Sequence, residues 1–364
     1  MTPLDGALAA LIARGEARPR DLDPHALLDA SETHQVVPLV AQALHAIDPD
    51  APASRTLHAA AAAWALREQS ERAAMAALLD AAHDVQLIVF KGAATAYGLY
   101  PHPWLRMRED WDVIVAPGDG DRMRAALDVA GFVPDAATKP GAIRMRQRSY
   151  RREVPGSQCI VDLHDRVLNP VALSEAITYE TLARETVPLP SLHASARGPD
   201  DAAALVLAAT HRLAHHSGEP RLAWDCDVLL LLRRLGSGAG RSVDRAAELA
   251  RTWGVSALVE AEVRRILARF GEPAGPHVRH LLDSLGDSGA TTVAARPFLR
   301  ERRSRAREFA LDWRALGWRA RLALMRETLV PDPAFIDASR PSRAPMPARY
   351  LWRILRGMIG WFRR

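Results

Sequence analysis

The chain has 364 residues and is poor in several side chains that mark particular classes of protein. It has two cysteines, Cys159 and Cys226, which lie far apart and lack the spacing of metal ligands. No stretch approaches about 18 uninterrupted apolar residues, so the sequence predicts no transmembrane helix. The N-terminal residues include acidic side chains and no long apolar run, and we therefore expect a cytoplasmic protein.

Lysine is scarce as well, because only two of the 48 basic residues are lysines. The net charge of +5 would suit an anionic partner, although richness in arginine and alanine also follows from a GC-rich genome. The charge alone therefore decides nothing about function. With 48% hydrophobic residues the chain can bury a sizeable core, and its length is typical of two domains or of one large domain with a helical extension.

The spacing of apolar residues divides the chain into four parts. Repeats of three and four predict a helical N-terminal segment over residues 1–84. The short apolar runs "VQLIVF", "WDVIVA" and "CIVDLHDRV" are typical of strands and predict an α/β core over residues 85–168. Helical spacing then returns and predicts a helical C-terminal domain over residues 169–330. A Pro-rich segment and a basic amphipathic helix are predicted over residues 331–364.

Two aspartates in "EDWDVIV" are the first candidates for chemistry. Asp110 and Asp112 are two apart on a predicted strand, so their carboxylates share one face while Trp111 turns to the other. Such a pair suits two Mg²⁺ ions about 4 Å apart, which stabilise the attacking and leaving oxygens of a phosphoryl displacement. A third carboxylate usually completes the site, and Asp162 in "CIVDLHD" fits that role. On the pair alone, an Asp-x-Asp that simply ends a strand is the favoured alternative.

The upstream stretch "FKGAA" shifts this balance toward a functional site. A strand that ends in Lys91 and Gly92 and opens into a helix offers free N–H groups, a positive dipole end and an ammonium, which together can hold a triphosphate. A lysine retained among arginines indicates a need for a compact point charge rather than a planar guanidinium. The alternative is that one lysine has survived by chance.

The stretch "IVFKGAATAYGLYPHPWLRMREDWDVIV" resembles the signature of the uncharacterised nucleotidyltransferase family within the DNA polymerase beta superfamily. Its Arg-x-x-Glu-Asp-x-Asp, which runs from Arg106 to Asp112, is also similar to that of abortive-infection-type toxin nucleotidyltransferases. The likeness extends to "ASETHQVVPLVAQAL", "VDLHDRV" and "THRLAHHSGEPRLAWDCDVLLLL", so it covers most of the chain.

The resemblance implies a fold, a reaction and a cofactor. The fold is α+β, with a polymerase-beta-like nucleotidyltransferase core between a helical N-terminal segment and a helical C-terminal domain. The reaction transfers an NMP from an NTP and releases pyrophosphate, with Mg²⁺, or alternatively Mn²⁺, as the cofactor. The carry-over assigns catalysis and metal binding to Asp110, Asp112 and Asp162, with Lys91 as a further catalytic residue.

The same carry-over assigns the phosphates of the NTP to Lys91, Gly92, Ala93 and Arg106. Two residues depart from the pattern of the family. Ala93 stands where the wider superfamily often has a phosphate-binding serine, and Trp111 is bulkier than the usual aliphatic residue. These departures leave open a regulatory protein that binds nucleotides without transfer.

A second substrate, the acceptor of the NMP, is expected on the C-terminal side of a cleft. The side chains predicted to face it are His164, His211, His215, Trp224 and Asp227. For His211 and His215 a structural role is the more common alternative, and as an i, i+4 pair they can also bind Zn²⁺, although no third ligand with suitable spacing is near. For His164 a plain hydrogen-bonding role is an equal alternative. Whether the acceptor is tRNA, a protein or a small molecule is left open.

Basic clusters provide further alternatives. Arginines in "AIRMRQRSYR" and "RERRSRAR" can bind a phosphate backbone, which would favour an RNA-directed toxin-type enzyme, although a solvated face is the more common explanation. The basic C-terminal helix can make a weak contact with a membrane surface or a partner, and docking onto the body of the protein is the preferred interpretation.

Overall fold

The computed structural model describes residues 3–15, 21–135, 143–144, 146–237, 241–272, 275–286, 293–339 and 344–362. These residues form helices around one mixed sheet and one small hairpin, which is an α+β architecture. Among them, no helix has both the length and the apolar character needed to cross a membrane.

The helices fall into three groups along the chain. The first group is α1 (Pro3–Arg14), α2 (Pro24–Thr33), α3 (Val37–Ile47) and α4 (Pro52–Ala81). The α/β region contains α5 (Lys91–Gly98), α6 (Gly120–Val129) and α7 (Tyr179–Ala183). The last group is α8 (Asp201–His216), α9 (Leu222–Ser237), α10 (Arg241–Thr252), α11 (Ser256–Phe270), α12 (Pro276–Gly286), α13 (Arg305–Ala315), α14 (Trp318–Leu329), α15 (Pro333–Ser339) and α16 (Met346–Phe362).

The central sheet is formed by β1 (Leu87–Val89), β2 (Trp111–Val115), β3 (Val133–Pro134), β4 (Gln147–Val154) and β5 (Ser157–His164). Their order is β1-β2-β5-β4-β3. Strands β2 and β5 are parallel, and the other neighbouring pairs are antiparallel. In the parallel pair Asp112 lies opposite Asp162, so the register brings two predicted site residues to the same level.

The two faces of the sheet differ because successive side chains of a strand point in opposite directions. Trp111 and Val113 of β2, with Val161 of β5, belong to a hydrophobic core that α4 and α6 complete. The residues between them, Asp112 and Asp162, belong to the opposite face, which looks toward the C-terminal helices. The same alternation that builds the core thus delivers carboxylates to the other side of the sheet.

A second hydrophobic core contains side chains of both the N-terminal and the C-terminal helices. Side chains of α3, such as Val40 and Leu44, share it with Leu205 of α8 and Leu229 of α9. Helix α4 contributes Leu57 to this core and its C-terminal half to the sheet core. The N-terminal helices therefore pack directly against the C-terminal ones, and the domain limits drawn from the sequence stay a prediction.

A two-stranded hairpin interrupts the region that the sequence predicts as helical. Its strands are β6 (Thr186–Pro188) and β7 (Arg197–Pro199). Both are three residues long and end in proline, so they are too short to give a clear alternation. The hairpin packs beside β1 and closes one side of the α5 helix.

Candidate functional site

Three buried side chains on neighbouring strands form a group that could hold a metal ion. Asp112 of β2 and Asp162 and His164 of β5 place one potential ligand atom each within 4.8 Å of the others. His164 Nε2 lies 2.7 Å from Asp112 Oδ1. The parallel register explains the grouping, because it aligns Asp112 with Asp162, and His164 follows two residues later on the same face.

Asp162 is held by two polar side chains of β4. Gln147 Nε2 donates to Asp162 Oδ2 at 2.7 Å, and the Ser149 hydroxyl donates to Oδ1. Both donors lie on one face of β4 because they are two residues apart. They fix the orientation of the carboxylate, as the outer-shell partners of metal ligands commonly do.

Lys91 contributes the one ammonium group near these carboxylates in the described part of the chain. Its φ angle is +52°, in the left-handed region that favours glycine, and this conformation costs a lysine about 1–2 kcal/mol. Lys91 is the first residue of α5 and follows β1 by one residue. Lys91 Nζ lies 2.6 Å from Asp112 Oδ1 and 3.4 Å from His164 Nε2, so its charge meets the carboxylate cluster directly.

The electrostatics separate the three carboxylates. Burial opposes ionisation of Asp112, but the Lys91 charge and the hydrogen bond from His164 outweigh it and hold the pKa of Asp112 below its usual range. Burial and the charge of Asp112 raise the pKa of Asp162. Burial, followed by the charges of Asp112 and Asp162, raises the pKa of Asp110 to about 8.

The environment of His164 favours the neutral form of its ring. Burial and the nearby Lys91 charge lower its pKa. The ring is fully buried with its edge against Phe90, and Nδ1 has no hydrogen-bond partner among the described residues. His164 therefore contacts Asp112 from within the protein, and its assignment to the acceptor side stays a prediction.

Asp110 lies just before β2 and is half-buried. It lines the same cavity as Asp112 and Asp162 and is close enough for its charge to interact with both. It is not a member of the three-residue group, whose third ligand is His164. The strand begins at Trp111, so Asp112 follows the alternation of β2 and Asp110 lies outside the strand.

The carboxylates open into a cavity of about 670 Å³ between the sheet and the C-terminal helices. Residues predicted from the sequence line it from both sides: Lys91, Gly92, Arg106, Asp110, Asp112, Asp162, His211, His215 and Trp224. A second cavity of about 270 Å³ adjoins it behind the start of α5. Lys91 and Trp224 belong to the walls of both cavities.

The comparisons with known proteins agree with this arrangement. A model of a family described as uncharacterised nucleotidyltransferase matches residues 20–270, which is more than half of the chain. The chain belongs to the uncharacterised nucleotidyltransferase family. Searches of curated proteins and of solved structures gave no match.

The match to the nucleotidyltransferase family ends at residue 270, but residues beyond 270 also line the cavity. Its far wall is formed partly by residues of α13, α14 and α16, including Arg305, Glu308, Thr328 and Arg353. The C-terminal region outside the match therefore forms part of the same site.

The predicted phosphate-binding residues do not all face the cavity. Gly92 lines it, and a Cβ atom there would lie 3.5 Å from Arg106 Nη2, which is ordinary contact. The Ala93 side chain is buried in the sheet core and lines neither cavity of the described residues. The serine-to-alanine departure noted in the sequence thus falls on a position that packs inward.

Arg106 pairs with a carboxylate of the C-terminal helices, and its predicted contact with the triphosphate stays a prediction. Its guanidinium forms a buried, bidentate ion pair with Asp227 of α9, with Nε 2.8 Å from Oδ1 and Nη2 2.8 Å from Oδ2. The Tyr100 hydroxyl donates to the same carboxylate at 2.9 Å. Asp227 lines only the smaller cavity. Both residues therefore join the α/β region to the C-terminal helices.

The histidines of α8 form a cluster with Trp224. His211 Nε2 and His216 Nε2 are 3.1 Å apart, and the rings of His216 and Trp224 lie 4.3 Å apart. Burial lowers the pKa of His211 and His215 well below the ordinary value, and it lowers that of His216 to about 4. The cluster is thus a neutral, aromatic wall opposite the carboxylates.

The sequence patterns did not predict a polar network on the side of β2 that α4 covers. Arg108 meets Glu68 and lies 3.7 Å from Glu71, and its guanidinium covers the Trp111 ring at 3.8 Å. The Tyr97 hydroxyl donates to Glu68 at 2.6 Å. The signal was present, because glutamates at i and i+3 in the Ala-rich α4 belong to the face that is buried against the sheet.

Proposed function

We propose that the chain is a metal-dependent nucleotidyltransferase with a polymerase-beta-like core, which moves an NMP from an NTP to an acceptor. The observation that carries this proposal is the pairing of Asp112 and Asp162 on adjacent parallel strands at the cavity, in a chain of the nucleotidyltransferase family. Carboxylates in that arrangement are the ligands of divalent ions that act on phosphates.

The donor set fits a divalent ion. Asp112 and Asp162 offer hard oxygen atoms, which Mg²⁺ prefers, and His164 offers a neutral nitrogen, which Mn²⁺ accepts more readily than Mg²⁺ does. Asp110 is the further carboxylate for a second ion. When bound, such ions supply charge stabilisation to the oxygens of an in-line phosphoryl displacement.

The residues of the chain itself would bind and orient the NTP. The Lys91 ammonium, now 2.6 Å from Asp112, is within reach of a phosphate bound beside the same carboxylate. Gly92 opens the first turn of α5 without a side chain in the way, and its backbone is exposed to the cavity. The acceptor's nucleophile attacks the α-phosphorus and releases its proton to solvent. The bond between the α-phosphorus and the oxygen that bridges the α- and β-phosphates breaks, and pyrophosphate leaves.

The acceptor is proposed to contact the aromatic wall of α8 and α9. His211, His215 and Trp224 line the same cavity as the carboxylates, and burial lowers the pKa of both histidines. Substitution of Trp224 by alanine should lower transfer and leave NTP affinity within about twofold, as expected when only the second substrate is lost. Loss of NTP affinity would assign Trp224 to the nucleotide instead.

The reaction is tested by incubating the protein with each radiolabelled NTP in a cell extract, with Mg²⁺ or with Mn²⁺. Release of pyrophosphate together with label on a macromolecule or small molecule supports transfer. The matched control pair is Asp162→Asn against Asp165→Asn, since Asp165 is exposed and lies three residues away. NTP binding without pyrophosphate release in any condition would favour the regulatory alternative.

A specific observation favours an RNA acceptor as the second candidate. Arg305 and Arg353 line the cavity on the wall opposite the carboxylates, and Arg221 lies over the Trp224 ring at 4.8 Å. Positive charge next to an aromatic ring suits a nucleotide. Other arginines of the basic clusters are used within the fold, because Arg144 pairs with Asp312 and Arg303 is buried. Label on tRNA in the same experiment identifies this case.

A further inference from the structure

The C-terminal region differs in charge from the rest of the chain. Residues 291–364 contain seventeen arginines and six acidic residues, a formal charge of +11. Since the whole chain carries +5, residues 1–290 carry −6. The positive charge of the protein is therefore concentrated in one segment, which lies entirely beyond the family match at residues 20–270.

Helix α14 exposes an apolar stripe in this basic segment. Trp318, Leu322, Met325 and Leu329 recur at spacings of four, three and four, which places them on one side of the helix. Trp318 is 66% exposed and Leu322 57% exposed. The opposite side of the helix is buried through Leu324. An amphipathic helix normally turns its apolar side inward, so the outward apolar side of α14 marks a candidate interaction surface.

Helix α16 also exposes apolar side chains. Arg353 donates to the Thr328 carbonyl at 2.8 Å and Tyr350 donates to the Pro331 carbonyl at 2.7 Å, so α16 docks on the end of α14 through its polar side. This docking leaves Leu351 at 59% and Leu355 at 56% exposure. The sequence-based preference for docking onto the body is thus met by the polar side of α16, and the apolar side faces out.

Exposed apolar side chains are more concentrated in this region than in the rest of the described chain. Of the fifteen large apolar side chains exposed in the described residues, eight lie between residues 318 and 355. They are Trp318, Leu322, Met325, Leu329, Val330, Leu351, Trp352 and Leu355. The other seven are distributed over the remaining described chain. We name this set the α14–α16 surface.

Exposed arginines border the α14–α16 surface. Arg319 and Arg326 lie on α14 beside the stripe and are exposed, and Arg319 covers the Trp318 ring at 5.2 Å. The acidic residue of the same helix, Glu327, turns away and lines the cavity. Apolar side chains with Trp among them, bordered by arginine and without acidic neighbours on the same side of α14, match the interface of an anionic lipid layer.

We propose that the α14–α16 surface docks on a membrane whose lipids carry anionic headgroups. The apolar stripe enters the boundary between headgroups and acyl chains, and the bordering arginines contact phosphates. Each arginine near such a surface strengthens binding about fivefold, and the apolar residues add the part that salt does not screen. The proposal is independent of whether the cavity transfers a nucleotide.

The test is sedimentation of the full-length protein with vesicles of phosphatidylglycerol and phosphatidylcholine, compared with phosphatidylcholine alone. We expect binding to the anionic vesicles at about 0.1 M salt that weakens as salt rises. Leu322→Glu should weaken it at least about tenfold, because an apolar anchor is replaced by a like charge. Leu66→Glu is the matched control, since Leu66 is 67% exposed on α4, outside this surface.

A second pair of variants tests the electrostatic part. Arg319→Ala should weaken binding about fivefold, while Arg72→Ala, an exposed arginine of α4, should leave it unchanged. All four residues are exposed, so the variants should fold like the parent.

Several outcomes overturn the proposal. One is a parent protein that does not sediment with anionic vesicles. Another is a self-association, measured by analytical ultracentrifugation, that Leu322→Glu abolishes, because the surface would then bind a second copy. A third is vesicle binding that Arg319→Ala weakens and Leu322→Glu does not, because that pattern indicates a general polyanion site such as one for RNA.

Discussion

The two faces of β2 both bury acidic side chains, but they balance the charge differently. On the rear face Glu68 and Glu71 meet Arg108, and Arg67 adds a second cation to Glu71. On the front face three carboxylates, Asp110, Asp112 and Asp162, share the single ammonium of Lys91.

This difference separates a structural network from a candidate binding site. The rear network is close to neutral, so it is stable without a ligand. The front face places three carboxyl groups and one ammonium beside a cavity, and burial together with the repulsion between the carboxylates raises the pKa of Asp110 and Asp162. An imbalance of this kind is typical of functional sites. The following predictions test whether the two faces have these separate roles.

The largest effect is expected on the rear face. Arg108→Ala should lower the free energy of unfolding by about 3–5 kcal/mol, because it leaves the buried Glu68 without its cation and Glu71 with Arg67 alone. Chemical denaturation measures the change, and Arg72→Ala on the exposed side of α4 is the control. A loss below about 1 kcal/mol would show that water or another group can replace the guanidinium.

The next effect separates activity from stability on the front face. Asp162→Asn should reduce nucleotidyl transfer about 100-fold, or ~3 kcal/mol, because it removes a negative charge from the proposed metal site. It should leave the free energy of unfolding equal or higher, since burial disfavours the charged form of Asp162. Asp165→Asn should change neither quantity. Equal losses of stability in Asp162→Asn and Arg108→Ala would remove the contrast between the two faces.

Lys91→Ala should weaken NTP binding by about ten- to hundredfold, which corresponds to a charge-assisted contact of about 1.5–3 kcal/mol. Calorimetry with Mg²⁺ measures the affinity, and Lys139→Ala, which changes the only other lysine, is the control. If both variants bind NTP like the parent, Lys91 serves Asp112 alone.

The smallest effect concerns the histidine wall and pH. Burial and the charges of Arg221 and Lys91 lower the pKa of His216 to about 4, while Asp112 and Glu308 oppose this shift. Between pH ~6.5 and about 4, His216 is protonated in the unfolded state and neutral in the folded state. The free energy of unfolding therefore decreases as the pH falls through this range. His216→Gln should recover about 1–2 kcal/mol of that loss, measured by urea denaturation at pH 7 and pH 5. An identical pH dependence in both proteins would exclude His216 as its source.

Local patterns in the sequence predicted much of the site. The alternation around Asp112 and Asp162 put both carboxylates on strands, and the scarcity of lysine singled out Lys91, which lies against Asp112. The family prediction was confirmed by the match over residues 20–270. In each case the signal lies within a few neighbouring residues, where strand periodicity and residue type are informative.

Long-range pairings were beyond the reach of those patterns. Arg106 and Asp227 are 121 residues apart, and nothing local to either residue shows that each is the partner of the other. The full burial of His164 could not be predicted either, because its spacing from Asp162 suits a substrate contact as well as a buried hydrogen bond. The assignment of the phosphate contacts and of the acceptor wall stays a prediction.

The alternation along β5 has a consequence for how this family can change by insertion and deletion. Cys159, Val161 and Leu163 build the sheet core, while Asp162 and His164 occupy the gaps between them on the opposite face. Loss of one residue before Asp162 would exchange the two sets, turning the carboxylate into the core and the apolar side chains toward the cavity. Length changes in this strand should therefore be tolerated in pairs or not at all.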